Sequence, residues 1–319
     1  GAYHVDRDDG PSIRTTAELD GAVADAELIF LTGPVHKQRT YSMVLADHLK
    51  DGQVLVVAPG RSLGALETAW LLRIGGCTAD VTIVEAQGLP YWYDEAGSIL
   101  TLSQAASMPA ATLPSGRSET LSALKKYFPN LVMFDSVLAS GFSDGSALVE
   151  VPTLMMGGAA LQSGAISIPM GGKILEENRT FASLIGPSQK AVISKLTEER
   201  HRVAKSFGVR NLPSPAKMID TYGGSLRGDY SRPIPSQKMS KSLLRCGVIG
   251  SLVPLQSAGK IANVQVPVTD AMITLASSIL GADVSAAGRR LEAIGIDSGD
   301  IDTARRAMDA IATGEKYGR

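Results

Sequence analysis

The chain has 319 residues, room for two average domains, with 44% hydrophobic and 20% charged residues and a formal net charge of -1. That is a globular composition, and with lysines and arginines spread along the sequence it gives nucleic-acid binding no electrostatic footing. The two cysteines, Cys77 and Cys246, match no metal-ligand spacing and frame no disulfide scaffold, so a cytoplasmic setting and no metal site are expected.

Residues 1–11 are polar and unpatterned, and 13–23 read as a strand end and a short helix. A strand over 27–32 stops at Gly33-Pro34, and a helix follows over 35–49 with Val35, Met43, Val44 and Leu45 at helical spacing. A second strand over 53–58 closes at Pro59-Gly60. The helix after it, over 62–73, aligns Leu63, Leu66, Trp70 and Ile74, and a third strand spans 80–85. Strands apolar on both faces predict a parallel sheet covered by helices, with right-handed crossovers. Ligands of such sheets sit at the carboxyl ends of strands, which points to Gly33-Pro34 and Pro59-Gly60-Arg61. Tyr91-Trp92-Tyr93 is either a packed strand edge or a wall of the ligand cleft, with Tyr91 the candidate substrate contact. The charge-free stretch 96–116 predicts a β-hairpin, 115–127 a helix and 131–134 the last strand.

From Asp144 onward helical patterns dominate. The longest, over 185–207, carries Val192, Ile193, Leu196, Val203 and Phe207 on one face and ends at Gly208. Others are predicted over 252–261, 269–280, 286–294 and 301–312. The polar loop 226–237, with Pro233 and Pro235, is long enough for a lid or a partner contact. Arg227, Arg232, Lys238 and Lys241 flank it, as a solvated basic face or as an anion site. The charge-free segment 151–172 holds prolines and glycines, which makes it a poor membrane span. It suits buried or interfacial structure, including a homodimer contact. His4, His48 and His201 are expected to face solvent, and Asp270 to sit at a helix start. The expected architecture is an α/β Rossmann-like domain over 1–142 followed by an all-helical domain over 143–319.

Several stretches share the order and spacing of one family. They are Ala58-Pro59-Gly60-Arg61 with Gly64-Ala65-Leu66-Glu67, and Val84-Glu85-Ala86-Gln87; then Leu252-Val253-Pro254-Leu255 with Ala258-Gly259-Lys260, Pro267-Val268-Thr269-Asp270-Ala271, and Gly288-Arg289-Arg290-Leu291-Glu292. Over nearly its whole length the chain resembles the opine dehydrogenases, the octopine and nopaline dehydrogenases. The resemblance implies a Rossmann domain and a helical domain, NAD or NADP as cofactor, and reversible reductive joining of an amino acid to a 2-oxo acid. His36 resembles the family's histidine after the fourth strand, a ligand contact, although a histidine there also suits a helix cap.

Two departures stand out. No two glycines of the chain are separated by a single residue, so the G-x-G-x-x-G turn that grips a pyrophosphate is absent, together with the strand and acidic residue expected after it. On the family pattern Gly1 falls inside the Rossmann domain, which is therefore expected to be N-terminally incomplete. Gly33, Pro34, Pro59, Gly60 and Arg61 remain as cofactor-binding candidates, Arg61 as a grip on a carboxylate or phosphate. Alone, they predict weak dinucleotide binding.

The second departure is chemical. The family's acid/base histidine lies in a pattern resembling N-A-x-x-H-P, and here Ser146-Ala147-Leu148-Val149-Glu150-Val151-Pro152 puts Glu150 at its position. The partnering aspartate position, seven residues before Pro254, is Gly247. A glutamate's ordinary pKa of about 4.3 must rise toward neutrality to do a histidine's work. Burial beside Val149, Val151 and Met155 pushes that way, and Arg245 the other. Glu150 is thus the catalytic candidate, as acid/base or ligand of a substrate amine, with a structural carboxylate at a helix start as the competing reading. His36, Tyr91, Arg227 and Arg245 are the substrate-binding candidates. The expected function is an NAD(P)-dependent oxidoreductase acting on a small amino-acid or 2-oxo-acid substrate with its His–Asp dyad replaced. A non-catalytic or accessory binding protein, or a non-redox enzyme using Glu150 as base, are the alternatives.

Overall fold

A computed structural model describes residues 16–96, 99–104, 107–157, 180–223, 232 and 234–317. Helix α1 (Leu19–Val23) leads into β1 (Leu28–Thr32), α2 (Val35–Leu45), β2 (Val54–Ala58), α3 (Gly64–Ile74) and β3 (Thr82–Ala86). The three strands pair in parallel, Leu31 opposite Val57 and Val56 opposite Val84. The chain then leaves the sheet for an antiparallel ribbon of β4 (Tyr91–Ala96) and β5 (Ile99–Gln104). It returns as β6 (Met108–Leu113), antiparallel to β3, and β7 (Leu131–Met133) follows α4 (Ser118–Lys125), giving the order β1-β2-β3-β6-β7. The hairpin expected within 96–116 therefore begins at Tyr91, and only its last strand belongs to the main sheet.

Alternation along each strand divides the core in two. Leu31, Leu55, Val57, Ile83, Ala111 and Leu113 join the large cluster under α2 and α3, while Val56, Ala58, Val84, Met108 and Ala110 face α4 with Leu121 and Leu124. The buried face of α2 is Val35, Gln38, Ser42 and Leu45, whereas Met43 and Val44, expected inward, are exposed. Two polar residues win that face because they have partners there. Gln38 Nε2 donates to the carbonyls of Gly33 (3.1 Å) and Pro59 (2.9 Å), and the Ser42 hydroxyl donates to that of Thr68. On α3 the core face is Leu66, Ala69 and Leu72, with Trp70 half-buried and Ile74 exposed.

After β7 every described element is helical. Helices α5 (Val137–Ser143) and α6 (Ser146–Met156) lead to α7 (Pro187–Ser206), whose stripe Ile193, Leu196, Val203 is fully buried and which Gly208 ends at φ +73°. Then come α8 (Pro215–Gly223), α9 (Gln237–Gly247), a π-helical turn at Val248–Leu252, α10 (Val253–Ile261) and α11 (Pro267–Leu280). Helix α12 (Leu291–Ile294) and α13 (Ile301–Thr313) close the order. The helix expected over 286–294 is only α12, because 282–290 forms an irregular segment that carries Arg289 inward. Helix α13 returns to the first half, where Arg73 Nη2 donates to the Ala312 carbonyl (2.5 Å) and Asp309 accepts from the Ser115 N–H (2.7 Å). Of the charge-free segment 151–172, the part beyond 157 lies outside the described residues, as do Arg227, most of the 226–237 loop and His4. No described helix is long and apolar enough to cross a membrane.

The two halves meet through Arg289, which is 2% exposed. Its guanidinium holds Glu67 of α3 (2.9 Å) and donates to the carbonyls of Gly60, Ser62 and Gly250. Glu67 accepts Arg39 on its other oxygen (2.7 Å). Burial alone would raise the Glu67 carboxyl, but the two guanidiniums hold it below its ordinary value. Removing one partner of such a buried network is costly. Arg289→Ala is expected to lower unfolding stability by about 3 kcal/mol or more, while Arg290→Ala, at an exposed neighbour, stays within about 0.5 kcal/mol. Urea denaturation of both variants checks the contrast.

Candidate functional site

The carboxyl ends of β1 and β2 face the junction between the halves. The loop Pro59–Leu63 enters after a cis Ala58–Pro59 bond and holds two non-glycine residues in the left-handed region, Arg61 (φ 52°) and Leu63 (φ 64°). Such backbone persists only where neighbours impose it. Gln87 Nε2 donates to the Arg61 carbonyl (2.7 Å), Ser62 N–H to the Gly250 carbonyl (3.0 Å), and Gln38 to that of Pro59. The π-helical turn frees the Ile249 and Gly250 carbonyls, and these accept from Arg289 and Ser62. Gly250 is also where Arg61 crosses, since a Cβ there would lie 2.9 Å from Val35 and 3.1 Å from Arg61.

The Arg61 side chain, 8% exposed, turns into this junction. Its Nη1 donates to Ser146 Oγ (2.7 Å) and its Nη2 lies 3.7 Å from Glu150 Oε2. Ser146 Oγ donates in turn to Asp144 (2.5 Å), which also accepts from Ser251 Oγ (2.6 Å). Despite the opposing effect of burial, Glu150 and Asp144 carry the Arg61 pKa above its ordinary value. Glu150, 5% exposed on α6, accepts Arg232 Nη2 on Oε1 (2.7 Å), while Oε2 has no hydrogen-bond partner. Arg232 lies over the Phe181 ring at 4.3 Å and donates to the Tyr222 carbonyl. It is thus a half-buried partner of Glu150 and not part of a solvated basic face. Gly247, expected from the resemblance to stand where the family has an aspartate, packs against Ala147 and Val151, where a Cβ would already lie 3.0 Å from Val151.

Beside this group Arg200, on α7 and 2% exposed, donates through Nη2 to the Pro213 carbonyl (3.0 Å), whereas its Nε and Nη1 have no partner. Burial lowers its pKa to about 10. It shares with Ser62, Asp144 and Ser251 a cavity of about 10 Å³, the room one water needs. Tyr222, its hydroxyl 3.4 Å from the Gly145 N–H, has its pKa raised by burial and by Asp144. Three guanidiniums (Arg61, Arg200, Arg232) thus stand against two carboxylates (Asp144, Glu150), an excess of one positive charge at the described junction.

The sequence candidates divide. Arg61 and Glu150 meet, as does Arg232. Gly33 (φ +99°), with open space beside it, and Pro34 precede α2 at the cleft edge. His36 and Arg245 are exposed and line a separate groove with Lys238 and Lys241. Tyr91 is exposed at the start of β4. His48, expected to face solvent, is half-buried and lies 3.1 Å from Asp20. His201 is half-buried beside Arg200, its pKa lowered by burial and then by that charge. Asp270 stands in the first turn of α11 and accepts from Gln256 (2.7 Å). Gln38 and Glu85 escaped the sequence reading as site residues. A polar residue at the inward spacing of α2 was the available signal for the first, and a lone carboxylate in an apolar strand for the second.

No family model matches the chain. An opine dehydrogenase of Arthrobacter sp. is 26% identical to it over 294 residues, 88% of this chain and 78% of the relative. Over most of its length the chain is thus similar in sequence to an opine dehydrogenase. Protein ocs of Agrobacterium tumefaciens is 22% identical over 305 residues, 92% of this chain and 82% of that one. Among solved folds, octopine dehydrogenase in complex with NADH and pyruvate has a TM-score of 0.64 at 16% identity, covering 92% of this chain and 79% of its own. That likeness supports the α/β Rossmann-like half followed by a helical half. The structure gives the shared motifs a common role. Glu67, Glu85, Gln87 and Arg289 all serve to hold the Pro59–Leu63 loop and the start of α3.

Glu85 is fully buried on β3. It accepts from Ser140 Oγ (2.7 Å), Gln87 Nε2 (3.1 Å) and the Ala65 N–H at the start of α3 (3.2 Å). Burial, against those hydrogen bonds, pushes its pKa up from 4.5 to about 7. Because the folded value lies above the unfolded one, the unfolded state gives up its proton first as pH rises. Stability tied to Glu85 is therefore intact below about pH 4.5, falls through about pH 7, and levels off above. The loss is on the order of 3 kcal/mol. Glu85→Gln is expected to flatten the pH dependence of the urea midpoint over this window, measured against the parent chain.

Proposed function

We propose that the chain is an NAD(P)-dependent oxidoreductase of the opine dehydrogenase class that joins an amino acid to a 2-oxo acid, with Glu150 in the place of the family's histidine. The supporting observation is the electrostatic character of the junction. Its excess guanidinium charge suits a carboxylate, and a buried carboxylate oxygen without a hydrogen bond lies 3.7 Å from Arg61. An unpartnered buried acceptor is costly unless a ligand or water completes it. An amino acid brings an anion and an amine together, as this pair of groups requires.

The two loops fit a dinucleotide unequally. Gly33, at φ +99° with open space beside it, and the first turn of α2, which has no side-chain cap, suit the approach of a phosphate. Pro59, Gly60 and Arg61 are engaged by Gln38, Arg289 and Ser146, and we assign them to shaping the junction. A bound nicotinamide supplies or takes the hydride. Arg61 orients the substrate carboxylate. Glu150 Oε2 accepts an N–H of the substrate ammonium and moves two protons in turn from that nitrogen to the oxo oxygen. One moves as the nitrogen adds to the oxo carbon and one as the C–O bond breaks, so that the oxygen leaves as water and the C=N carbon takes the hydride.

A second reading, a binding protein on the same scaffold, is favoured by the engagement of Glu150 Oε1 with Arg232 and by Gly247 in place of a carboxylate. The two separate by experiment. With pairs of amino and 2-oxo acids, NADH or NADPH consumption is expected, and Glu150→Gln is expected to cut kcat about a hundredfold or more with KM changed less. Full turnover in Glu150→Gln would free Glu150 of this role. No consumption by the parent chain with any pair would leave the binding reading in possession.

A further inference from the structure

Helix α9 carries Lys238, Lys241 and Arg245 at spacings of three and four, one stripe of its surface. With His36 from the first turn of α2, they line a groove of about 390 Å³ whose other wall is Ile279 and Leu280 at the end of α11. None of its lining residues is acidic, and among the described residues none of the three cations has a carboxylate partner. Like charges at these spacings repel by a few tenths of a kcal/mol per pair. The chain as a whole carries a net charge of -1, so the stripe does not follow from a generally basic surface.

The groove adjoins the junction. Its inner lining reaches Cys246, next to Gly247, which packs on Ala147 and Val151 to either side of Glu150 in sequence. On the side of α2, His36 follows Val35, and both Val35 and Arg61 lie against Gly250. The cations spread over eight residues of helix, about 10 Å, with an aliphatic wall opposite. That shape suits an extended molecule with methylene carbons and a carboxylate better than a compact phosphate.

We propose that this groove binds the remote carboxylate of a dicarboxylic substrate, so that the chain takes an acidic amino acid or a dicarboxylic 2-oxo acid in preference to neutral or basic ones. As a statement about substrate it rests on the oxidoreductase reading above. As a statement about binding it does not. Lys238, Lys241 and Arg245 then set specificity: they attract the carboxylate, repel a cationic side chain, and make association salt-dependent.

Calorimetric titration of glutarate, which has neither an amino nor an oxo group to react, tests the groove directly. The parent chain is expected to bind glutarate about tenfold or more tighter than butyrate. The exposed double variant K241E/R245E, checked for an unchanged melting temperature, is expected to lose that preference. Equal binding of glutarate and butyrate, undiminished glutarate binding by the variant, or tighter binding of inorganic phosphate than of glutarate would each overturn the proposal. Turnover separates the two readings. If the parent chain is active, the ratio of kcat/KM for glutamate over alanine should fall about tenfold in the variant, and an unchanged ratio sinks the groove alone. Glutarate binding that the variant abolishes, with no turnover on any pair, upholds the groove and sinks the oxidoreductase reading.

Discussion

The guanidinium of Arg289 fastens the two halves of the chain to each other. It comes from an irregular segment of the helical half, reaches a carboxylate on α3, and takes three carbonyls belonging to the β2–α3 loop and the π-helical turn. A buried charge is tolerated only when paired and hydrogen-bonded; here the charge partner Glu67 comes from the first half and the accepting carbonyls from both. The glycines nearby follow from the same constraint. Gly60 lies where a Cβ would come within 2.6 Å of Glu85, and one at Gly288 would run into Val253. The backbone must approach this closely for the guanidinium to reach.

The site inherits its geometry from that fastening. With the loop pinned, Arg61 has one direction available, across Gly250 toward Ser146 and Glu150. The left-handed backbone at Arg61 and Leu63 is held by hydrogen bonds from Gln87 and to Gly250, which fixes where the Arg61 side chain starts. Glu85, buried beneath the loop, caps the start of α3 from the neighbouring strand. Its raised pKa ties the stability of this corner to pH through burial, the same cause that concentrates charge at the junction.

The family resemblance and the structure divide the explanation between them. Motifs shared with opine dehydrogenases account for how the halves are joined, whereas the proposed chemistry turns on Glu150 and on Gly247 beside it. Gly247 is packed against α6 without room for a side chain. Glu150 has gained Arg232 and Arg61 as neighbours instead. The junction thus presents a carboxylate among guanidiniums.

Local pattern in the sequence determined the strands β1 to β3, the long helix α7 with its terminating Gly208, and the change from α/β to helical structure, because apolar periodicity and glycine act over a few residues. It also marked Arg61 and Glu150 from their places in motifs. It could not place Gln38 and Ser42 inward, since their burial depends on carbonyls and a hydroxyl supplied by other segments. Nor could it place Arg232 on Glu150, 82 residues away, or the 282–290 segment as the bearer of a buried arginine. His36 and Arg245, named as companions of one substrate site, lie together in a groove of their own. Which charges share a cavity is fixed only when helices from distant parts of the chain pack, and that was decided by the tertiary structure.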